Sequence, residues 1–149
     1  MPIVNRILFP VDLSDASFRI AAYVKEMADK FDADIYPLFV AHVSDYYSSI
    51  EMAYTFMSNF EAEIIKGAEN KIQSFLESNF SDRSLEAKVV PGHPGEEILK
   101  YAAEKKIDLI IMGTHGRKGI GRIIFGSVAN YVVKNALIPV LTLHPYQND

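Results

Sequence analysis

Glycine is concentrated in one part of this chain, and its spacing there suits the binding of an anion. Five of the eight glycines fall between Gly113 and Gly126, directly after the apolar run of residues 107–112. Glycine lets backbone amides approach a phosphate group closely, and a following helix adds partial positive charge at its first turn. We therefore expect a phosphate site in this segment. Three basic side chains within it would offset phosphate charge: Arg117, Lys118 and Arg122.

The composition is that of an ordinary globular domain and narrows the function classes. Apolar residues make up 49% and charged residues 23% of the 149 residues, which suffice for one domain with its own core. The net charge of −4 argues against a protein that coats nucleic acid. Without cysteine there are neither disulfides nor thiolate metal sites. The N-terminus does not resemble a signal peptide, and no apolar stretch approaches the roughly 20 residues that span a bilayer. We expect a single cytoplasmic domain over residues 1–149, with no membrane or nucleic-acid contact.

Strand and helix patterns alternate along the chain. Apolar runs predict strands over residues 3–11, 33–43, 107–112 and 138–143, and an alternating pattern predicts a further strand over 85–90. Helical patterns predict one helix capped by Ser14, one over 51–80, one from Pro94 and one over 127–135. Three sets of residues are expected to face the core from the first three helices: Ala21, Val24, Ala28 and Phe31; Ile64, Ala68, Ile72 and Phe75; Ile98, Tyr101 and Ala102.

Strands that are apolar on both faces and alternate with helices indicate an α/β fold, in which helices cover both faces of an open parallel sheet. Such sheets bind ligands beyond the carboxyl ends of their strands, where the strand order reverses. Asp12 follows the first predicted strand and Gly113 follows the fourth. These two strand ends are the natural candidates for the binding site.

Several familiar phosphate-binding motifs do not match. Residues 121–127 have the glycine spacing of a P-loop but lack its lysine. The dinucleotide fingerprint requires glycines after the first strand, where the chain has Pro10, Val11 and Asp12. The absence of glycine after the first strand also argues against a flavodoxin-type loop. A response regulator would need a cluster of acidic residues, of which only Asp12 is in place.

The remaining pattern is Gly113-x2-Gly116-x9-Gly126-Ser127, and with it the chain resembles the universal stress protein family. This pattern is similar to the ATP-binding signature of that family, complete in its glycines and its serine. Residues 7–14 (ILFPVDLS) and residues 138–141 (IPVL) match the family at the first and last strands. Three matching segments in the correct order extend the resemblance over essentially the whole chain.

The resemblance implies a five-stranded parallel sheet in the order 3-2-1-4-5, the adenine nucleotide alpha hydrolase-like fold. It also implies ATP binding and a homodimer in which the terminal strand pairs with its copy. Residues 140–143 (VLTL) would otherwise form an exposed apolar edge, and Pro139 suits an edge strand. On this basis we expect a nucleotide-responsive regulatory homodimer of the stress response, with a protein partner that the sequence does not identify.

Each candidate residue receives a physical role in ATP binding. The amides of Gly126, Ser127 and Val128 would hold the phosphates at a helix start. Asp12 would bond the adenosine or hold a magnesium ion that bridges the phosphates. The other candidates are apolar contacts of the adenosine (Pro10, Val11, Val40 and Met112), glycines of the turn (Gly113 and Gly116) and a phosphate-binding side chain (Arg117).

Each role has a simpler alternative. Gly126 and Ser127 could serve simply to start a helix, and Asp12 could serve simply to cap one. Val40 and Met112 could be ordinary core residues. Besides the regulatory dimer, two other functions stay open. One is a slow ATPase, since no second acidic residue is placed for a two-metal site. The other is a structural dimer with a vestigial nucleotide site. An aromatic and methionine cluster over residues 46–57 is a candidate partner surface.

Overall fold

Strands and helices alternate along the chain as the sequence predicts. The computed structural model describes residues 3–14, 16–41, 54–114 and 126–145, without the side chains of 54–60. Within these residues the strands are β1 (Arg6–Pro10), β2 (Asp34–Ala41), β3 (Lys88–Pro91), β4 (Leu109–Gly113) and β5 (Val140–Leu143). The helices are α1 (Ala16–Phe31), α2 (Tyr54–Asn79), α3 (Pro94–Glu104) and α4 (Ser127–Asn135). The side chains of the 46–57 cluster lie outside the described residues.

The five strands form one parallel sheet in the order β3-β2-β1-β4-β5, which confirms the predicted topology. The register places Ile7 of β1 between Ile35 of β2 and Leu109 of β4. From the centre, the chain builds outward through β2 and β3 in one direction. It then returns and builds outward through β4 and β5 in the other. The strand order therefore reverses between β1 and β4.

The core consists of two layers, one on each face of the sheet. Ile7 and Phe9 of β1 pack on one face, and Leu8 packs on the other, because successive strand side chains point to opposite faces. Residues of α1 and α2 cover the first face, and residues of α3 and α4 cover the second. This confirms a sheet with helices on both faces.

The observed strands are shorter than predicted at some ends. Ile3 was expected to begin the first strand, but it is 69% exposed and β1 starts at Arg6. The backbone amides of Asn5 and Arg6 instead donate to Asp108 Oδ2, each at 2.9 Å. The edge strand β3 begins at Lys88, where its pairing with Leu38 of β2 starts. An apolar sequence pattern indicates which residues are buried. The ends of a strand depend on where its hydrogen bonds to a neighbouring strand begin and stop.

One detail of the predicted helices is wrong. Phe31 ends α1 with 43% of its surface exposed, although it was expected to face the core. Tyr101 of α3 packs against the second core layer, as predicted, and is half-buried there. The Ser14 hydroxyl donates to Asp12 Oδ1 at 2.7 Å and the Ser14 carbonyl accepts from the Ser17 N–H at 3.0 Å, so a cap by the Ser14 side chain stays a prediction. The other described residues expected to face the core are buried or half-buried.

Replacing Ile7 by alanine should destabilise the protein by about 2–5 kcal/mol, because Ile7 is fully buried in the central strand and the deletion leaves a cavity. The matched control Ile3→Ala removes the same atoms from an exposed position and should change stability by less than about 0.5 kcal/mol. Urea denaturation of both variants measures the difference. Equal losses in the two variants would contradict the assigned centre of the sheet.

Candidate functional site

A cavity of about 620 Å³ lies beyond the carboxyl ends of the strands, where β1 and β4 end side by side. Parallel sheets hold ligands at this reversal of strand order because the flanking connections leave toward opposite faces and open a crevice. The volume is within the usual range for small-molecule sites, about 300–1,000 Å³.

The walls of the cavity are mostly apolar and come from both core layers. Phe9, Val11 and Phe39 belong to the layer under α1 and α2. Val40 and Met112 belong to the layer under α3 and α4. A flat apolar group that enters between them would contact both layers at once.

The start of α4 opens onto the same cavity. Gly126 precedes the helix with φ −56° and ψ 150°, and the first helical hydrogen bond runs from the Asn130 N–H to the Gly126 carbonyl, at 2.9 Å. The amides before that bond have no acceptor within the helix. We call the backbone N–H groups of Ser127, Val128 and Ala129 the amide cluster; all three residues line the cavity.

Thr114 links Gly126, the residue before the amide cluster, to the sheet. Its carbonyl accepts a hydrogen bond from the Gly126 N–H, and its own N–H donates to the Leu143 carbonyl at 2.9 Å. Thr114 is 7% exposed and lines the cavity. One residue at the end of β4 therefore connects the first turn of α4 to the edge strand β5.

Asp12 organises the turn between β1 and α1. Its Oδ1 accepts three hydrogen bonds, from the Ser14 N–H at 2.9 Å, the Ser14 hydroxyl at 2.7 Å and the Ser17 hydroxyl at 2.8 Å. Leu13, between them, adopts a left-handed conformation with φ 62°, which costs energy in a residue other than glycine. This oxygen is thus engaged in the fold, and Asp12 is also one of the residues that line the cavity.

The structure brings together every predicted site residue that it describes. Gly116 and Arg117 lie outside the described residues. The other nine line the cavity, although contact with a ligand stays a prediction: Pro10, Val11, Asp12, Val40, Met112, Gly113, Gly126, Ser127 and Val128.

Sequence reasoning missed other lining residues. Pro94 starts α3 after β3, and its position at another carboxyl end of the same sheet was a usable signal. Ser17 and Thr114 are the buried polar residues of the described wall; Ser17 lies in the first turn of α1, and Thr114 directly follows β4. Ile98 and Ala129 were assigned to helices without a link to the cavity.

The described part of the chain contains neither a metal-binding cluster nor a membrane-spanning helix. There, no group of three or more histidine, aspartate or glutamate side chains is arranged to hold a metal ion. No helix in those segments combines the length and apolar character needed to cross a bilayer.

A family model described as the universal stress protein family matches residues 4–144. The chain belongs to the universal stress protein family. The universal stress protein MJ0531 of Methanocaldococcus jannaschii is 35% identical over 140 residues, which cover 93% of this chain and 81% of that protein. A solved structure of MJ0577, from the same organism, has a TM-score of 0.83 at 28% identity and covers 99% of both chains.

Two more distant universal stress protein structures contain a nucleotide. One is in complex with cAMP and has a TM-score of 0.59 at 19% identity, over 96% of this chain and 98% of that one. The other, from Archaeoglobus fulgidus, is in complex with dAMP and has a TM-score of 0.53 at 18% identity, over 95% and 98%. At these identities the likeness to the present universal stress protein is one of fold.

Replacing Asp12 by alanine should lower the free energy of unfolding by about 1–2 kcal/mol, because a helix entry loses its acceptor and the buried Ser17 hydroxyl loses its partner. Asp12→Asn keeps an oxygen at that position and should lose less than about half as much. Thermal and urea denaturation of the two variants provide the comparison. Equal stability of Asp12→Ala and the parent would show that the carboxylate does not hold the turn.

Proposed function

We propose that this universal stress protein binds ATP in the cavity and acts as a nucleotide-responsive regulatory homodimer in the stress response. The observation that carries the proposal is the position of the amide cluster, which opens onto an apolar cavity at the reversal of strand order. An adenine nucleotide has matching parts, a flat apolar base and a chain of anionic phosphates.

Adenosine fits the apolar part of the cavity. Val11, Val40 and Met112 form walls from both core layers, so a base inserted there is covered on two sides. The cAMP and dAMP complexes of distant family members support an adenine nucleotide as the class of ligand. ATP is the specific proposal, and it rests on the glycine and serine pattern from Gly113 to Ser127.

The phosphates belong at the start of α4. Helix N-termini bind anions because their first amides lack acceptors and the helix dipole is positive at that end. Ser127 adds a hydroxyl to the three amides of the cluster. The proposal also assigns Gly116 to the turn and Arg117 to the phosphate oxygens.

Asp12 has a suitable place for the ribose or for Mg²⁺. It is the one acidic side chain among the described residues that line the cavity. Magnesium in nucleotide sites is commonly held by one or two carboxylates together with phosphates and water, so a single carboxylate fits that mode. Since Oδ1 accepts three hydrogen bonds from the α1 turn, Oδ2 is the oxygen that we assign to the ligand.

Replacing Gly126 by valine should raise the dissociation constant of ATP at least about 100-fold, or roughly 2.7 kcal/mol, because the side chain would stand between the amide cluster and the phosphates. The fold should persist, since φ −56° and ψ 150° are values that any residue adopts. Titration calorimetry with Mg·ATP measures the loss.

Gly67→Val is the matched control for this experiment. Gly67 lies within α2, and a Cβ added there meets no atom within 4 Å. This variant should bind ATP like the parent. Parental affinity in Gly126→Val would show that the phosphates lie elsewhere, and a parent that binds no ATP would refute the proposal itself.

The proposed homodimer uses the edge strand β5. The carbonyls of Pro139 and Leu143 accept hydrogen bonds from β4, so the intervening backbone groups of Val140 and Thr142 point toward the open edge. All four residues of β5 are half-buried in the isolated chain. An apolar strand with an unpaired edge is a template for pairing with a second copy.

Replacing Thr142 by proline should convert the dimer to a monomer, because it removes an outward N–H while the bonds to β4 remain. Thr142→Ala keeps that N–H and should remain dimeric. Light scattering after size-exclusion chromatography gives the mass of each variant. A dimeric Thr142→Pro protein would place the interface on another surface.

A further inference from the structure

Gly95 occupies a point of very close approach between α3 and α4. A Cβ added at Gly95 would lie 2.4 Å from Cδ1, 2.8 Å from Cγ and 3.1 Å from Cε1 of Tyr131. Distances below 3.0 Å essentially never occur for a real Cβ. Gly95 is buried, so alanine at this position requires that Tyr131 or one of the two helices moves.

The Tyr131 ring is half-buried and lies against both Gly95 and His93. Its Cγ is attached to the Tyr131 Cβ, so a clash at Cγ cannot be relieved by turning the ring about its own axis. The His93 ring also contacts it edge-on, with centroids 5.6 Å apart and an interplanar angle of 62°. Close-packed interiors transmit such overlaps to the backbone. We therefore expect α4 to shift.

Both sides of this contact adjoin the cavity. Pro94, the neighbour of Gly95, lines the cavity from α3. Ser127 lines it from α4 and lies four residues before Tyr131, so the two side chains project from the same face of that helix. A displacement at Tyr131 is therefore carried one turn along α4 to the amide cluster.

A neighbouring face of α4 packs on the sheet. Val132, next to Tyr131, is fully buried in the second core layer. Gly126, the residue before the helix, is bonded through its N–H to the carbonyl of Thr114, which follows β4. The middle of this nine-residue helix is held in the core, so steric overlap at Tyr131 should change the orientation of the helix.

We infer that Gly95 is a positioning residue for phosphate binding. The missing side chain at Gly95 lets Tyr131 seat against α3, and this contact sets where the amide cluster lies over the cavity. The inference rests on the proposed function, because it assigns Gly95 a part in holding the phosphates without touching them.

The experiment compares Gly95→Ala with Gly67→Ala, in which the same methyl group enters open space. Affinities for Mg·ATP and for adenosine, which lacks phosphate, are measured by calorimetry. Gly95→Ala should lower the affinity for ATP at least about tenfold, which is the equivalent of one charge-assisted hydrogen bond. The affinity for adenosine should stay within about twofold of the parent. Gly67→Ala should leave both ligands within about twofold of the parent.

A second variant pair tests the route through Tyr131. In a Tyr131→Ala background the ring is gone, so adding Gly95→Ala should change ATP affinity by less than about threefold. A structural role alone would alter stability without changing the ratio of ATP to adenosine affinity. Equal weakening of both ligands by Gly95→Ala, or an undiminished loss in the Tyr131→Ala background, would overturn the inference.

Amide chemical shifts of the ligand-free protein test the inference separately from ATP binding. Gly95→Ala should move the ¹⁵N–¹H signals of Ser127, Val128 and Ala129 beyond the changes seen in Gly67→Ala. Unmoved signals would overturn the positioning role whatever the affinities. Moved signals in a protein whose parent binds no ATP would support the contact while refuting the proposed function.

Discussion

The shared direction of the five strands is the constraint on which the site depends. Because every pairing is parallel, all carboxyl ends lie at one edge of the sheet, and each helix that follows a strand begins near that edge. Between β1 and β4 the two connections leave toward opposite faces, since α1 covers one layer and α4 the other. The cavity, Asp12 and the first turn of α4 share one location for this reason. If β1 or β4 ran antiparallel to the others, its carboxyl end would lie at the opposite edge of the sheet. Either Asp12 or the first turn of α4 would then be absent from this location.

Asp12 illustrates how the same residue serves the fold and the proposed ligand. Its Oδ1 gathers an amide and two hydroxyls, which compensates for the left-handed conformation of Leu13 in a tight exit from β1. The same turn places Asp12 in the cavity wall. In our proposal the ligand uses the other oxygen, so binding requires no rearrangement of the start of α1. The start of α4 is arranged in a comparable way, since Gly126 is bonded to Thr114 while the next three residues line the cavity.

Much of this architecture is predictable from local patterns, whereas its contacts are not. Apolar runs and helical stripes indicate the strands, the helices and the two-sided burial, and the resemblance to the universal stress protein family implies the strand order. The hydrogen bond from the Ser14 hydroxyl to Asp12 was not predicted, because it belongs to a turn that contains the left-handed Leu13. The first strand does not extend back to Ile3. The backbone amides that follow Ile3 instead donate hydrogen bonds to Asp108, which is distant in the chain. The approach of Gly95 to Tyr131 joins residues far apart in the chain, and no periodicity reports it.

The most direct test of the account is a crystal structure of the protein with bound Mg·ATP. We predict phosphate oxygens within hydrogen-bonding distance of the amides of Ser127, Val128 and Ala129, about 2.7–3.2 Å from the nitrogen atoms, and adenine between Val40 and Met112 on one side and Val11 on the other. Nucleotide bound at another surface, or phosphates directed away from α4 while the base occupies the cavity, would contradict it.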